Sequence, residues 1–299
     1  MRNSCKLGLG TVQWGLSYGV SNSEGQTPIL EVKNILKHAN ETGINMLDTA
    51  YAYGNAEVVI GTERQQTRKF KIVTKTRPIN HKKKISQQDI LFVIDGFRRS
   101  LEHMYCSAVH GLLVHNADSL LVLGGDELWK ALQRLKELGK VEKLGVSVYH
   151  PEQLERILDN YSIDLVQLPL NIYDQRFSVT GLLRKLRQRG VEIHVRSAFL
   201  QGLLLLPPDE LSDYFVPIRG SHTKLHAYFN DNGLTPLEGC LQFCLNHEDV
   251  DRVIVGCENK DQLNDIILAC ESHCKLKQSN LLEFSTDDNA FINPLSWLQ

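Results

Sequence analysis

Short apolar runs alternate with helically spaced apolar positions along nearly the whole chain. Lys6 to Leu9, Ile44 to Leu47, Phe70 to Thr74, a run closing at Leu112 to Val114, Lys143 to Ser147, Asp164 to Leu168, Val191 to Arg196 and Arg252 to Val255 all have the size of buried strands. Between them, Val32, Ile35, Leu36 and Ala39 recur at helical spacing and Gly43 follows as a stop; Asn55 to about Arg64 reads as a short second helix. Ser86-x-x-Asp89 resembles a capping box and opens a stripe of Ile90, Ile94, Phe97, Leu101 and Met104. Leu128, Leu132, Leu135 and Leu138 mark a helix ended by Gly139, and Pro151 opens one continued by Leu154, Ile157 and Leu158. Leu182 to Leu186, the segment opened by Thr235-Pro236-Leu237-Glu238, and Asp261 to Glu271 complete the set. Strands alternating with helices predict a parallel sheet with helical crossovers. Eight of each predict an α/β chain forming a single (β/α)8 TIM barrel over residues 1–271, with no linker or domain boundary.

Length and composition agree with that architecture. A chain of 299 residues would allow two domains, but α/β barrels of this length are commonly one. The 42% hydrophobic and 23% charged fractions are those of an ordinary globular protein. Lys and Arg number 33 against 35 acidic residues, so no overall field draws nucleic acid. His81-Lys82-Lys83-Lys84 is the one dense basic run, expected to be a solvated loop before a helix. Seven scattered cysteines and no signal-peptide pattern fit free thiols in a reducing cytoplasm. Cys240/Cys244 and Cys270/Cys274, the latter beside His273, have helical spacing that core packing explains without a metal; His222 and His226 are read the same way. The longest apolar run, Leu203 to Leu206 before Pro207-Pro208, is far too short to span a bilayer.

Candidate chemistry sits at the ends of three successive runs. The second ends in Asp48, followed by Tyr51, Tyr53 and Gly54; the next ends in Lys75, and the one after it in His115. Any one of these would pass for a turn cap or a packed loop aromatic. In a parallel barrel, however, those strand ends lie side by side, where the fold places its chemistry.

Gly8-Leu9-Gly10-Thr11, Leu47-Asp48-Thr49-Ala50 with Tyr53-Gly54, Val73-Thr74-Lys75 and Leu113-Val114-His115 resemble the aldo-keto reductase superfamily. So do Gly145-Val146-Ser147, Asp164-Leu165-Val166-Gln167, Ser197 to Gly202 and Ile254-Val255-Gly256, in the family's order from residue 5 to about 270. The resemblance implies a cytoplasmic NAD(P)H-dependent oxidoreductase that reduces a carbonyl of a small molecule (an aldehyde, ketone or sugar-type compound) to an alcohol. It assigns Tyr53 as proton donor, Lys75 as the cation that lowers the phenol's pKa, Asp48 as the partner holding Lys75, and His115 as the group orienting the substrate oxygen. A phenol near pKa 10 needs such help at neutrality.

The cofactor, NADP or NAD, is expected on Gly10, Thr11, Ser147, Gln167, Ser197, Leu200, Gln201, Gly202, Gly256, Cys257 and Gln262. Ser147 and Gln167 match positions holding the nicotinamide amide, with Val148 where the family has Asn. Arg196 replaces the usual stacking tyrosine, and its guanidinium plane can also lie on an aromatic ring. Gly8-x-Gly10 has Gln13 where a third glycine would stand, so it does not make a Rossmann site. After the last strand, Gly256, Asn259 and Gln262 occupy positions that often carry Lys or Arg in relatives, leaving only Lys260 between Glu258 and Asp261. Weak discrimination between NADP and NAD follows. Two departures stand out: the chain begins almost at strand one, without room for a barrel-plugging hairpin, and residues 272–299 match no family motif. That C-terminal tail is expected at the barrel mouth. The closed sheet predicts a monomer or weak oligomer, with no metal, nucleic acid or membrane partner. Two other readings remain at this point: a Schiff-base role for Lys75, and a nucleotide-binding redox sensor with little turnover.

Overall fold

The computed structural model describes residues 6–20, 22, 24–79, 83–272, 276 and 278–297. Its strands are β1 (Leu7–Gly10), β2 (Met46–Asp48), β3 (Lys71–Lys75), β4 (Val109–Val114), β5 (Val141–Ser147), β6 (Leu165–Pro169), β7 (Glu192–Arg196) and β8 (Arg252–Val255). They pair in sequence order, all parallel, and β1 closes on β8 to complete a barrel. The fold is the (β/α)8 barrel that the alternation predicts. Boundaries moved slightly. β2 begins two residues after Ile44 and includes Asp48, and Lys75 is likewise the last residue of β3, so both side chains are held by ladder pairing.

The helices form where local signals placed them. Helix Ile29–Thr42 buries Val32, Ile35, Leu36 and Ala39, and ends at Gly43 with φ 84°. Both capping boxes are present: Ser86 with Asp89 opens Gln87–His103, and Thr235 with Glu238 opens Pro236–Leu245. The expected second helix is broken into Ala56–Thr62 and Arg64–Thr67. Cys240 and Cys244 lie buried on one such helix, in the apolar core. His222 is also buried, Nδ1 2.9 Å from Tyr173 Oη and Nε2 2.8 Å from Leu206 O, on helix Arg219–Asp231. The first two positions of the His81 to Lys84 run lie outside the described residues; Lys83 and Lys84 are exposed just before helix Gln87–His103, with Lys84 forming an isolated backbone bridge to Leu123. His273 and Cys274 also lie outside the described residues.

Inside the barrel, Met46, Val73, Leu113, Leu165 and Ile254 form a small apolar plug. Glycines on neighbouring strands make room for it. A Cβ on Gly8 would meet Ile254 Cδ1 at 2.7 Å, and one on Gly111 would meet Leu165 Cδ2 at 2.6 Å. Toward the N-terminal end of the strands, Glu192 lies 2.7 Å from His194 Nε2 and 3.2 Å from His110 Nε2, and it also pairs with Lys143. Toward the C-terminal end lie Asp48, Lys75 and Gln167. Conserving stability and hosting chemistry are thus given to opposite ends, as is usual for this architecture.

Residues 278–297 pack on the loops that follow β6 and β7. Gln175 donates to Leu281 O (2.7 Å), Thr286 N to Tyr173 O (2.9 Å) and Tyr214 Oη to Ala290 O (3.0 Å). Among the described residues no helix is long and apolar enough to cross a membrane.

The glycines also supply a stability test. A Cβ on Gly145 would fall 1.7 Å from Leu165 O, against the backbone that sets Gln167, whereas one on Gly139 (φ 68°) meets nothing within 4 Å. Gly139→Ala should cost only the left-handed strain, roughly 1–2 kcal/mol. Gly145→Ala should cost at least about 3 kcal/mol by forcing β5 and β6 apart. Urea midpoints of the two variants decide this, and equal losses would show that the strands can shift to accept the methyl.

Candidate active site

Parallel pairing of β2 with β3 brings Asp48 opposite Val73, and Lys75 reaches it from two residues further on. Lys75 Nζ donates to Asp48 Oδ1 (2.9 Å), Asp48 Oδ2 (2.8 Å) and Thr49 O (2.9 Å), so all three ammonium protons are used. Gln167, from the far side of the barrel, donates to Asp48 Oδ1 at 2.6 Å. All three side chains are buried. Burial pushes the Lys75 pKa down, and the Asp48 carboxylate opposes that shift.

Tyr53 comes from the loop after β2, with Lys75 Nζ 4.9 Å from its ring centroid. Its ring meets His115 edge-on at 6.2 Å between centroids. The sequence-based expectation that Lys75 lowers the phenol's pKa is not met: the Tyr53 pKa is raised, first by burial and then by the negative charge of Asp48. The reason is that Lys75 is already neutralised by Asp48, leaving little net charge to favour a phenolate. Arg196 acts in the lowering direction but is outweighed. His115 has its pKa lowered to about 3, by burial and then by the charges of Lys75 and Arg196. It is a neutral imidazole, with Nδ1 buried and unpartnered.

The expected cofactor residues fall into four groups. On the barrel's inner face, Ser147 and Gln167 pair across β5 and β6, and Gln167 Oε1 is buried with no partner. Asp48 fixes the amide's orientation, because the reverse would set oxygen against carboxylate. A buried acceptor beside Ser147 fits an incoming carboxamide N–H. Near β1, Gly10 and Thr11 adjoin Asp48, with Thr11 N donating to Asp48 O at 2.9 Å, and Thr11 Oγ1 and Gln13 Oε1 are also buried without partners. After β7, Ser197 (φ 64°), Leu200 (φ 49°) and Gln201 (φ 57°) adopt left-handed backbone, followed by Gly202 (φ 92°). Non-glycine residues there cost roughly 1–3 kcal/mol each and cluster at ligand clamps.

The fourth group, after β8, is engaged with itself. Gln262 accepts from Glu258 N at 2.8 Å and donates to Glu258 Oε2 at 3.1 Å, while Asn259 caps Gln262 N. Lys260 N donates to Glu31 Oε1 at 2.7 Å. Cys257 is buried and its thiol pKa is pushed up to about 12, by burial and then by Glu258 and Glu31. Gln262 is exposed, with both ends of its amide engaged by Glu258. The Arg196 guanidinium lies over Tyr149, 4.2 Å from the ring centroid.

The family model described as Aldo/keto reductase family matches residues 6–284. The chain belongs to this family. It is 26% identical over 222 residues to an NADH-specific methylglyoxal reductase of Escherichia coli (strain K12), covering 67% of this chain and 65% of that protein. It is 25% identical over 179 residues to a glyoxal reductase of Bacillus subtilis (strain 168), covering 58% of this chain and 60% of that protein. The chain thus spans somewhat under two-thirds of the length of these two relatives. Among solved structures, an aldo-keto reductase from Bacillus halodurans superposes with a TM-score of 0.73 at 21% identity, covering 94% of this chain and 92% of that one. A glycerol dehydrogenase from Gluconobacter oxydans gives 0.69 at 19% identity, covering 97% and 92%. Both likenesses show the shared fold.

Sequence reasoning missed Tyr149, Tyr18 and Glu31. Tyr149 follows β5 by two residues and could have been found by the strand-end rule that gave Tyr53. Tyr18, which accepts from Gln201 Nε2 at 2.9 Å, and Glu31 carry no local signal. Among the described residues no group of three or more His, Cys, Asp or Glu could hold a metal ion.

The His115 environment sets a pH expectation. The unfolded imidazole takes a proton near pH 6.5 and the folded one only near 3. Between those values the unfolded state binds more protons, so this residue's contribution to stability is complete above 6.5 and is lost as pH falls toward 3. By NMR, the His115 ring should show no titration between pH 8 and 5, and Arg196→Gln should raise its pKa. An inflection near 6.5 in the parent protein would contradict this account.

Proposed function

We propose that this protein is an NAD(P)H-dependent carbonyl reductase that protonates its substrate from Tyr53. The observation that carries the reading is the buried Asp48–Lys75 pair beneath the Tyr53 ring, with neutral His115 edge-on to it. The reduced nicotinamide, when bound, supplies hydride to the carbonyl carbon. Gln167 Oε1 and Ser147 would hold its carboxamide, and the left-handed Ser197 to Gly202 loop would take its phosphates.

The remaining work falls to side chains. A raised pKa keeps Tyr53 protonated at neutral pH, which an acid needs, and transfer becomes favourable as negative charge grows on the carbonyl oxygen. Lys75 contributes through its contact with the Tyr53 ring face, its charge being largely offset by Asp48. Asp48 holds Lys75 in place. His115, unable to protonate, gives the oxygen a neutral N–H donor and does not compete as an acid. The same pairing argues against a Schiff-base role, because an ammonium whose three protons are all bonded is not free to attack. Similarity to reductases of methylglyoxal and glyoxal supports a short aldehyde or dicarbonyl as substrate. Within the 272–299 tail, residues 278–297 lie against the barrel loops, and we read the tail as part of the barrel domain rather than as a second domain.

We further infer that NADH binds at least as well as NADPH. Glu31 places a carboxylate on the first N–H of helix Lys260–Glu271, and Glu258 and Asp261 flank it, where a 2′-phosphate would need cations. Glu31→Gln should tighten NADPH several-fold while leaving NADH within twofold, read by cofactor fluorescence at low salt. A strong NADPH preference in the parent protein, lost in Lys260→Ala, would overturn the assignment.

For catalysis, Tyr53→Phe should lower kcat by about 10²–10⁴-fold while the NADH Kd stays near the parent value. Lys75→Met should be comparably harmful. Tyr53→Phe with most of its kcat intact would remove the phenol from the proton-donor role.

A further inference from the structure

Arg176 and Arg196 both lie toward the barrel mouth, and of these two only Arg176 has its charge matched. Arg176, on the loop after β6, donates from Nε and Nη2 to the two oxygens of Asp174, each at 2.8 Å. Arg196, the last residue of β7, has no carboxylate partner among the described residues. Nη2 donates to Val148 O at 3.3 Å and Nη1 to Ser197 Oγ at 3.4 Å, both long, and the plane rests on Tyr149.

Its position follows from register. His194 pairs with Gln167, and Arg196 stands two residues further along the same interior face, level with Pro169. It is the last residue of β7, at the mouth end of the strand. His115 lies just past the end of β4, two residues beyond Leu113 of the plug. The charge of Arg196 is felt at Tyr53, Lys75 and His115 alike. Counting charge at the site, Lys75 and Asp48 cancel, while Tyr53 and His115 are neutral. One half-buried positive charge is left over, and a partly desolvated cation without a counter-ion is a costly arrangement to keep.

We propose that Arg196, braced on Tyr149, is a subsite for an anionic substituent, a carboxylate or a phosphate, on the carbonyl substrate. The guanidinium fork matches such groups bidentately, and its stacked face fixes the direction of the fork. The anion would sit at the rim while the carbonyl lies between Tyr53 and His115, so the charge selects substrates without touching the reacting atoms. The proposal rests on the carbonyl-reductase reading and narrows it from short aldehydes to oxo acids or phosphorylated aldehydes.

Size-matched pairs test it: glyoxylate against glyoxal, and glyceraldehyde 3-phosphate against glyceraldehyde, each with NADH. In at least one pair, kcat/KM should favour the anionic member by roughly 10- to 100-fold. Arg196→Gln should bring that ratio close to one, and Arg196→Lys should keep part of it. The ratio cancels any uniform loss from folding or cofactor binding, and the pair that responds separates carboxylate from phosphate. Malonate, which cannot be reduced, should bind the NADH complex of the parent protein at least tenfold more tightly than that of Arg196→Gln, read by cofactor fluorescence. Ratios near one in the parent protein overturn the subsite, as does a ratio unchanged in Arg196→Gln while NADH binding weakens, since the charge would then serve the cofactor's phosphates. If no carbonyl is reduced at all, the functional reading fails, and malonate binding alone decides the subsite.

Discussion

The buried ion pair between Asp48 and Lys75 is the interaction on which the rest of the site depends. Two charges taken out of water are tolerable only when their remaining hydrogen-bonding capacity is filled. Here Lys75 spends two protons on Asp48 and one on Thr49 O, while Gln167 crosses the barrel to bond Asp48. One interaction thereby ties β2, β3 and β6 together, and it requires the closed barrel, since β6 meets β2 only across the interior. Removing one partner would strand the other in a dry site, at a cost of roughly 3–5 kcal/mol.

Cancelling the charges has a consequence for chemistry. If Lys75 acted as a free ammonium, the phenol beside it would ionise more readily and be a poorer reservoir of protons. Paired, it leaves burial and Asp48 in control, and Tyr53 stays protonated. The imidazole of His115 is kept neutral by the same low polarity together with the two nearby cations. In the proposed mechanism, acid and hydrogen-bond donor are thus separated into different side chains by one environment.

The barrel needs two polar layers and something to divide them. The plug of Met46, Val73, Leu113, Leu165 and Ile254 does so, between the Glu192 cluster at one end and the Asp48 layer at the other. Only glycine on adjacent rungs lets five large side chains meet at the axis, which explains why Gly8, Gly111 and Gly145 face occupied space. Above the plug, the strained Ser197 to Gly202 loop and the self-capped β8 loop differ in kind. The first stores unfavourable backbone at a place where a ligand can compensate for it; the second has already satisfied its own N–H groups with Asn259, Gln262 and Glu31.

Much of this was legible in the chain itself, because its signals are local. Apolar runs, helical stripes, the Ser86 and Thr235 capping boxes and the stops at Gly43 and Gly139 each depend on residues within one element. Asp48, Tyr53, Lys75 and His115 could be grouped because strand ends in a parallel barrel share one rim. What the sequence could not convey depends on distant contacts. Glu31 meets Lys260 across 229 positions, and nothing near either residue announces it. Arg196 could be placed at the mouth, yet that Tyr149 takes its plane and no carboxylate takes its charge is a matter of side-chain packing. The direction of the Tyr53 shift is likewise a property of burial and of the summed field, in which the nearest cation is offset by its own partner. Periodicity and turn chemistry determined which elements form and which residues reach the rim; only the closed barrel decided which charges remain unbalanced there, because electrostatic energy depends on three-dimensional distance and on exclusion of water rather than on order along the chain.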